Sequence, residues 1–541
     1  MSHRSFASQH LAETQQKAGV FVREATGLVR QLGAKDAVMY NLLNMGIPWT
    51  FLYISFAAIL FPGVNLPLTV VLGFPLILVT AFTYYLLNSM MPRTGGDFVW
   101  VGRIIHPSIG FMNNFALAIF FISFVGPVSA WLFSYGVGTM LLNLSATTGN
   151  ANYAAIAGQL SGPVPTMVAG IIVLAIITIS LVAGLRWTFR FQWAMFALAM
   201  LGVLTFLGVM ATTNNATFVS NFNANSGLNY NSVISAAQNG GYSLGYTLTG
   251  TLLGSVFSFL NYYGFNFSTF VGGEVRNSNR SQLYGIVGAT IIFAVLMFLV
   301  FESSYVVMGQ PFLHAASFLS GNGNSAWTLP SGAVLQYLVI FANSNPIVGV
   351  LVPLAIIGSV LGSLTTIMLA VVRQSFAWSF DRVLPTKFAD LDSRFHSPIF
   401  GIGLVVVVSL VFVVLNAFTT VLTYLSYETS GLWATTAIVG LAAALLPYRR
   451  RDLAALVSRN KRVALVVLGV VTFLGSLAVA AIALSPAYLL ATTGGTAISP
   501  LNVAGLFLTF IVGFLIYVIS SALRKRNGID LALSMREIPP E

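Results

Sequence analysis

The chain has no cysteine, which excludes disulfides, thiolate metal sites and thiol chemistry. It is also poor in charge: Asp, Glu, Lys and Arg make up 7% of its 541 residues, against roughly a quarter in soluble domains. The five histidines, His3, His10, His106, His314 and His396, are scattered, and no metal site is expected from them. The scarcest feature is positional. Six uncharged gaps between apolar runs contain no Lys, Arg, Asp or Glu, and all 25 Lys and Arg fall in the seven segments that alternate with them or, for Arg190 and Arg373, at the ends of the runs that adjoin those segments.

What is abundant is apolar sequence. The hydrophobic fraction is 57%, mean hydropathy is +0.85, and the apolar residues come in long runs. The net charge of +11 is spread over every cationic segment instead of forming one face. The positive-inside rule therefore accounts for it, and no nucleic-acid partner is expected. The partner implied is the lipid bilayer.

A membrane-crossing helix needs about 20 mostly apolar residues. Twelve runs qualify: 36–60, 66–91, 107–141, 163–185, 187–213, 247–275, 282–308, 346–379, 398–416, 419–446, 463–485 and 501–523. With the N-terminus inside, the cations fall on the cytoplasmic side at every alternation. The expected fold class is an all-α polytopic membrane protein with 12 transmembrane helices and both termini cytoplasmic. The apolar stretch 333–343 is read as a short outer helix, because Asn343, Asn345 and Pro346 separate it from the next span. Phe21, Ala25, Leu28, Val29 and Leu32 recur at helical spacing, so residues 1–35 are read as a cytoplasmic segment with an interfacial helix. The uncharged outer loops suit an acidic exterior, where carboxylates would lose their charge.

Two spans are interrupted. Asn44-Met45-Gly46-Ile47-Pro48-Trp49 lies halfway along the first, where Pro48 cannot donate to the preceding turn and is well placed to start a new one. Asn261-Tyr262-Tyr263-Gly264-Phe265-Asn266 interrupts the sixth. Breaks at membrane depth persist only where they line a cavity. Breaks in spans one and six are what an inverted repeat of five plus five helices places in corresponding positions. The organisation expected is a segment 1–35, a first repeat 36–213, a second 247–446, helices eleven and twelve at 463–523, and a cytoplasmic tail 524–541. A half-helix that starts at a break presents amide N–H groups to an anion, and one that ends there presents carbonyls to a cation. Together they fit the carboxylate and ammonium of an amino acid.

Three further motifs carry a resemblance. Met91-Pro-Arg-Thr-Gly-Gly-Asp-Phe-Val-Trp-Val-Gly-Arg, followed by His106-Pro107, is similar to the loop after helix two in amino acid–polyamine–organocation (APC) permeases. Phe259 to Phe265 resembles the break in their helix six, and Gly273-Glu274-Val275-Arg276-Asn277-Ser278 resembles its ending. Arg373, Phe380-Asp381-Arg382-Val383-Leu384-Pro385 and Ser397-Pro398 are similar to the region between helices eight and nine. The resemblance covers residues 28–450 and implies a LeuT-like 5+5 inverted repeat with broken helices 1 and 6, alternating access and amino acid transport. The chain departs from the family in having a single glycine in the first break, Gly273 in place of a glutamate and Arg382 in place of a glycine. It also has no lysine in span five, where proton-coupled relatives carry one.

Residue roles follow as expectations. Met45, Gly46, Ile47 and Trp49 are expected to bind substrate, with backbone contacts to its carboxylate from Gly46, Ile47 and Trp49. Asn261, Tyr262 and Tyr263 offer carbonyls to the ammonium, Phe265 or a tyrosine ring closes over the side chain, and Gly264 and Asn266 complete the substrate-binding set. Tyr263 and Phe265 are gate candidates, as are Asp97 and Arg103, for which solvated orientation charges are the alternative. Asn266 stands where relatives often carry an acid, which favours neutral substrates over the alternative, a polyamine or other organic cation. Glu428 is a candidate proton carrier, and Ser363 and Thr366 could serve a sodium site. Coupling by H⁺, by Na⁺ or by exchange is open at this point, as is a homo-oligomer. No cofactor is expected. A membrane-embedded enzyme would need paired acids, a histidine cluster or a nucleophile–base pair, and a channel would need a filter motif; neither appears in the sequence.

Overall fold

The computed structural model describes residues 28–392, 394–395, 397–419, 428–492 and 500–535. Among them all regular elements are helical, apart from one isolated bridge between Leu32 and Val275. Among the described residues eleven helical segments are long and apolar enough to cross a membrane. The first is a pair, α1 (Ala34–Met45) and α2 (Thr50–Leu60). Then follow α3 (Leu66–Met90), the short loop helix α4 (Asp97–Ile104), α5 (Pro107–Thr148), α6 (Pro163–Val182) and α7 (Leu185–Thr212).

The second half contains α8 (Leu248–Tyr262), α9 (Ser278–Gly321), a short α10 (Leu335–Ala342), α11 (Pro346–Phe380) and α12 (Ile399–Phe418). It ends with α13 (Glu428–Arg449), α14 (Arg459–Ala483) and α15 (Pro500–Arg526). α8 has 15 residues, so it rises only about 22 Å and falls short of a bilayer core of about 30 Å. Its expected continuation to residue 275 is not α-helical. The chain instead makes single 3₁₀ turns at Phe267–Thr269 and Gly272–Glu274.

One rod runs further than its hydropathy suggests: α5 continues to Thr148 through a π turn at Leu132–Val137. α9 winds through π turns at Leu283–Gly288 and Tyr305–Gly309 and breaks at Gly309, whose φ of 86° leaves the helical region. Its spanning part therefore ends near residue 308, as expected, and Gln310–Gly321 is a separate helical stretch. A π turn absorbs an extra residue without ending the helix. The separate helix expected at 333–343 is present as α10. The expected interfacial helix falls mostly outside the described residues, and Leu28–Gly33 does not continue it. Instead, Leu32 pairs with Val275.

Burial sorts the rods. The α1–α2 pair is the most enclosed, with 83% of its apolar window buried, while α15 at 17% is peripheral. Helices approach closely where side chains are absent, as expected when lipid supplies no hydrophobic drive. A Cβ on Gly440 of α13 would lie 2.6 Å from the Phe473 nitrogen of α14, and one on Gly202 of α7 would lie 2.7 Å from the Leu351 carbonyl of α11. Such packing holds the rods around the broken pair at the centre.

Candidate functional site

The first break is made by Gly46. α1 ends there with Gly46 at φ 65° and its N–H donating to the Leu42 carbonyl at 2.9 Å. Ile47–Trp49 form one 3₁₀ turn with Pro48 at its second residue, and the Thr50 hydroxyl donates to the Ile47 carbonyl at 2.6 Å before α2 proceeds. Only glycine suits this point, because the backbone is left-handed and a Cβ would run into the Trp49 indole.

The second break follows Tyr262. Gly264 has φ 133°, and a Cβ there would lie 2.5 Å from Asn44 Nδ2 and 2.9 Å from the Met45 nitrogen. The two breaks therefore touch. Asn41 fixes them in that register: its Nδ2 donates to the carbonyls of Phe265 at 2.6 Å and Gly285 at 2.7 Å, and its Oδ1 accepts from the Ser268 N–H at 2.7 Å.

A cavity of about 80 Å³ opens beside this junction, several times the roughly 10–15 Å³ one water needs. Met45, Trp49, Asn261, Tyr263 and Ser363 of the expected residues line it. Asn44, Phe121, Trp131, Ile367 and Leu432 line it too, and among the described residues no lining side chain is charged. The Oδ1 atoms of Asn44 and Asn261 are buried and accept no hydrogen bond.

Other expected residues lie elsewhere. The Trp49 N–H already donates to the Gly46 carbonyl at 2.9 Å. What Trp49 brings to the cavity is its ring, packed edge-on to Trp131 at 5.2 Å. Gly46 and Ile47 form the turn beside the cavity. Tyr262 turns away, with its hydroxyl 3.5 Å from the Val70 carbonyl and its ring against Phe293. Phe265 is packed on Tyr84 at 5.2 Å, and Asn266 is buried, with neither its side-chain nitrogen nor its oxygen hydrogen-bonded among the described residues. The Thr366 hydroxyl is occupied, accepting from Gln192 Nε2 at 3.1 Å and donating to the Gly362 carbonyl at 3.0 Å. The side chain of Glu428 lies outside the described residues.

The end of the molecule rich in Lys and Arg is closed below the cavity. Arg373 of α11 forms a bidentate pair with Glu274 at 2.9 and 2.8 Å, with both side chains buried. The Glu274 carbonyl accepts the Gln31 and Leu32 N–H groups, and the Arg276 N–H donates to the Leu32 carbonyl at 2.8 Å. Arg103 pairs with Asp381 at 2.8 Å, also buried. Asp97 joins no ion pair among the described residues; it accepts from Asn113 at 3.0 Å and Asn114 at 2.8 Å. Burial pushes its carboxyl up to about 7, against the opposing hydrogen bonds of Asn114, its own backbone and Asn113. These charges are not solvated orientation signals, because each is 6% exposed or less.

Asn41, Asn44, Phe121 and the Arg373–Glu274 pair escaped the sequence reading. The spacing of Asn41 and Asn44, one turn apart just before the break, was a usable signal for the first two. Phe121 and Trp131 sit in an unbroken apolar run that gives no such signal.

No curated protein matches the chain. The profile of the family described as amino acid permease matches residues 37–486. That covers most of the molecule and contains both breaks, the cavity and the closing pairs. The chain belongs to the amino acid permease family.

Proposed function

We propose that this membrane transporter of amino acids takes neutral, apolar ones and imports them by alternating access across twelve crossings. In this reading the broken α8 segment supplies the crossing that falls short by length, and two five-helix repeats are inverted about the cavity. Positive-inside asymmetry puts the closed, cationic end in the cytoplasm.

The observation that carries the reading is an uncharged cavity at the contact between two helix breaks. A zwitterion entering it has its carboxylate met by the start of α2 and its ammonium by the ends of α1 and α8, together with the free amide oxygens of Asn44 and Asn261. The rings of Phe121 and Trp131, with Ile367 and Leu432, suit an apolar side chain. A polyamine has no carboxylate for the start of α2, and the lining offers it no acid. The absence of a charged group among the described lining residues supplies no anion for sodium beside the substrate, and Thr366 has one hydroxyl lone pair already taken by Gln192, so we favour proton coupling or exchange.

A thermal-shift screen of purified protein tests this, run with and without Na⁺ at acid and neutral pH. Neutral apolar amino acids are expected to raise the melting temperature, by an amount equivalent to about 2.7 kcal/mol at a hundredfold excess over Kd. Their decarboxylated amines and polyamines are expected to do nothing. Stabilisation by a polyamine, or by no amino acid, overturns the assignment.

The variant Gly46→Ala must evict the Trp49 indole and hold a left-handed alanine, a backbone cost of about 1–2 kcal/mol. Amino acid affinity is expected to fall about tenfold or more, read as loss of the ligand-induced shift.

A further inference from the structure

We propose that Asp97 is the carboxylate that binds the coupling proton, taking it up from the substrate cavity and releasing it at the cationic end. The proposal rests on the transport reading above.

Asp97 begins α4, the loop helix wedged between α5 and α13, and is 1% exposed. Its two side-chain partners, Asn113 and Asn114, are neutral amides of α5. Trp378 of α11 donates to Asn114 Oδ1 at 2.7 Å, which fixes that amide with its NH₂ toward Asp97. The charged groups around it are already matched. Arg103 on the same helix holds Asp381, Arg373 of α11 holds Glu274, and Arg450 beyond α13 holds Asp452 at 2.7 Å. From α3 and the broken segment it is faced by the phenols Tyr84 and Tyr263, which feel its charge. A buried carboxylate bonded only to amides has no cation to favour its ionised form.

Those phenols also form a route. Tyr263 lines the cavity, and its hydroxyl accepts from Thr436 at 3.4 Å. Asn266, whose buried side-chain nitrogen and oxygen have no hydrogen-bond partner among the described residues, lies near both Tyr263 and Tyr84, and the step from Tyr84 to Asp97 is one that water would bridge. A proton entering with substrate forms the O–H bond of a neutral Asp97 carboxylic acid in the closed state. When the cationic end opens, water reaches the group, its affinity for the proton falls toward the ordinary carboxylate range near ~4, and the O–H bond breaks to give a hydrated proton and carboxylate. Nothing is oxidised or reduced.

The test uses the full chain in liposomes with the amino acid that gives the largest thermal shift. An acidic exterior is expected to drive accumulation by wild type and Asp97→Glu. Asp97→Asn should still exchange substrate at equal pH but lose at least tenfold in gradient-driven accumulation. Equal accumulation by Asp97→Asn, or none driven by the gradient in wild type, overturns the proposal. Absence of exchange in wild type instead strikes the amino acid reading.

A readout on wild type alone guards against a misfolded variant. Because the carboxyl is raised in the folded state, its stabilising contribution is complete below about pH 4 and is lost as pH rises through about 7. The melting temperature should therefore fall between about pH 4 and about pH 7 and level off above, while an infrared band of a protonated carboxyl disappears around pH 7. A band that does not titrate there overturns the assignment.

Discussion

Replacing Arg373 by alanine is expected to destabilise the closed state by about 3–5 kcal/mol, because Glu274 is left as a buried, unpaired charge. Glu274 belongs to the last 3₁₀ turn of the broken segment, and its own carbonyl holds the Gln31 and Leu32 N–H groups ahead of α1. The guanidinium therefore secures the segment that ties α1 to the α8 break. Losing it should lower the melting temperature and shift the population toward a state open at the cationic end.

The chain has no cysteine, so a single Ser363→Cys in the cavity wall is a clean reporter. In the Arg373→Ala background that thiol should react with an impermeant reagent applied from the cationic side; in the parent it should be protected. The double variant Glu274→Gln, Arg373→Met removes both charges and should recover most of the stability, since replacing a whole buried pair by neutral groups costs far less than breaking it. If the double variant is no more stable than Arg373→Ala, the pair's electrostatics are not what holds this end shut.

The sequence carried the coarse architecture because membrane physics writes it in bulk properties. Run length and the one-sided distribution of Lys and Arg located the spans, and Gly46-Ile47-Pro48 marked the first break because those residue types cannot continue a helix there. Gly264 marked the second. What followed the second break was illegible: residues 265–275 are apolar enough to read as helix, and it is their bonds to distant groups, Asn41, Gln282, Gly95, Arg373 and the Gln31–Leu32 backbone, that hold them in short turns.

Site residues divided along the same line. Of the residues that line the cavity, Met45, Asn261 and Tyr263 were legible because they flank a break, whereas Phe121 was not, because helix packing, not local sequence, turns it toward the cavity. The closing pairs were missed for a different reason. Arg103 and Asp381 are 278 positions apart, and Glu274 and Arg373 are 99 apart. Nothing local distinguishes such a partner from a solvated loop charge.

Asn41 is where the largest loss of hydrogen bonding from one side chain is expected. Truncation to alanine strands the Phe265 and Gly285 carbonyls and the Ser268 N–H, all buried. Each orphaned group costs roughly 1–3 kcal/mol when water cannot reach it, so a total of at least about 3 kcal/mol is expected from Asn41→Ala. Part of the segment stays held, because the Ser268 hydroxyl and carbonyl are independently bonded to Gln282 at 2.6 and 3.0 Å. The expected phenotype is therefore a folded but less stable protein whose two breaks are no longer in register, with amino acid binding lost before the fold.

Asn41→Asp separates the donor role from the acceptor role. An aspartate still accepts from Ser268, but it has no N–H for either carbonyl and sets a negative charge against both. It should be at least as damaging as alanine near neutral pH and should recover in acid, where the protonated carboxyl regains a donor. Melting curves of the three proteins across pH decide the matter. If Asn41→Asp matches wild type at neutral pH, the two carbonyl contacts do not hold the breaks together, and the register comes from the Ser268 N–H bond that aspartate keeps and from the contact between Gly264 and Asn44.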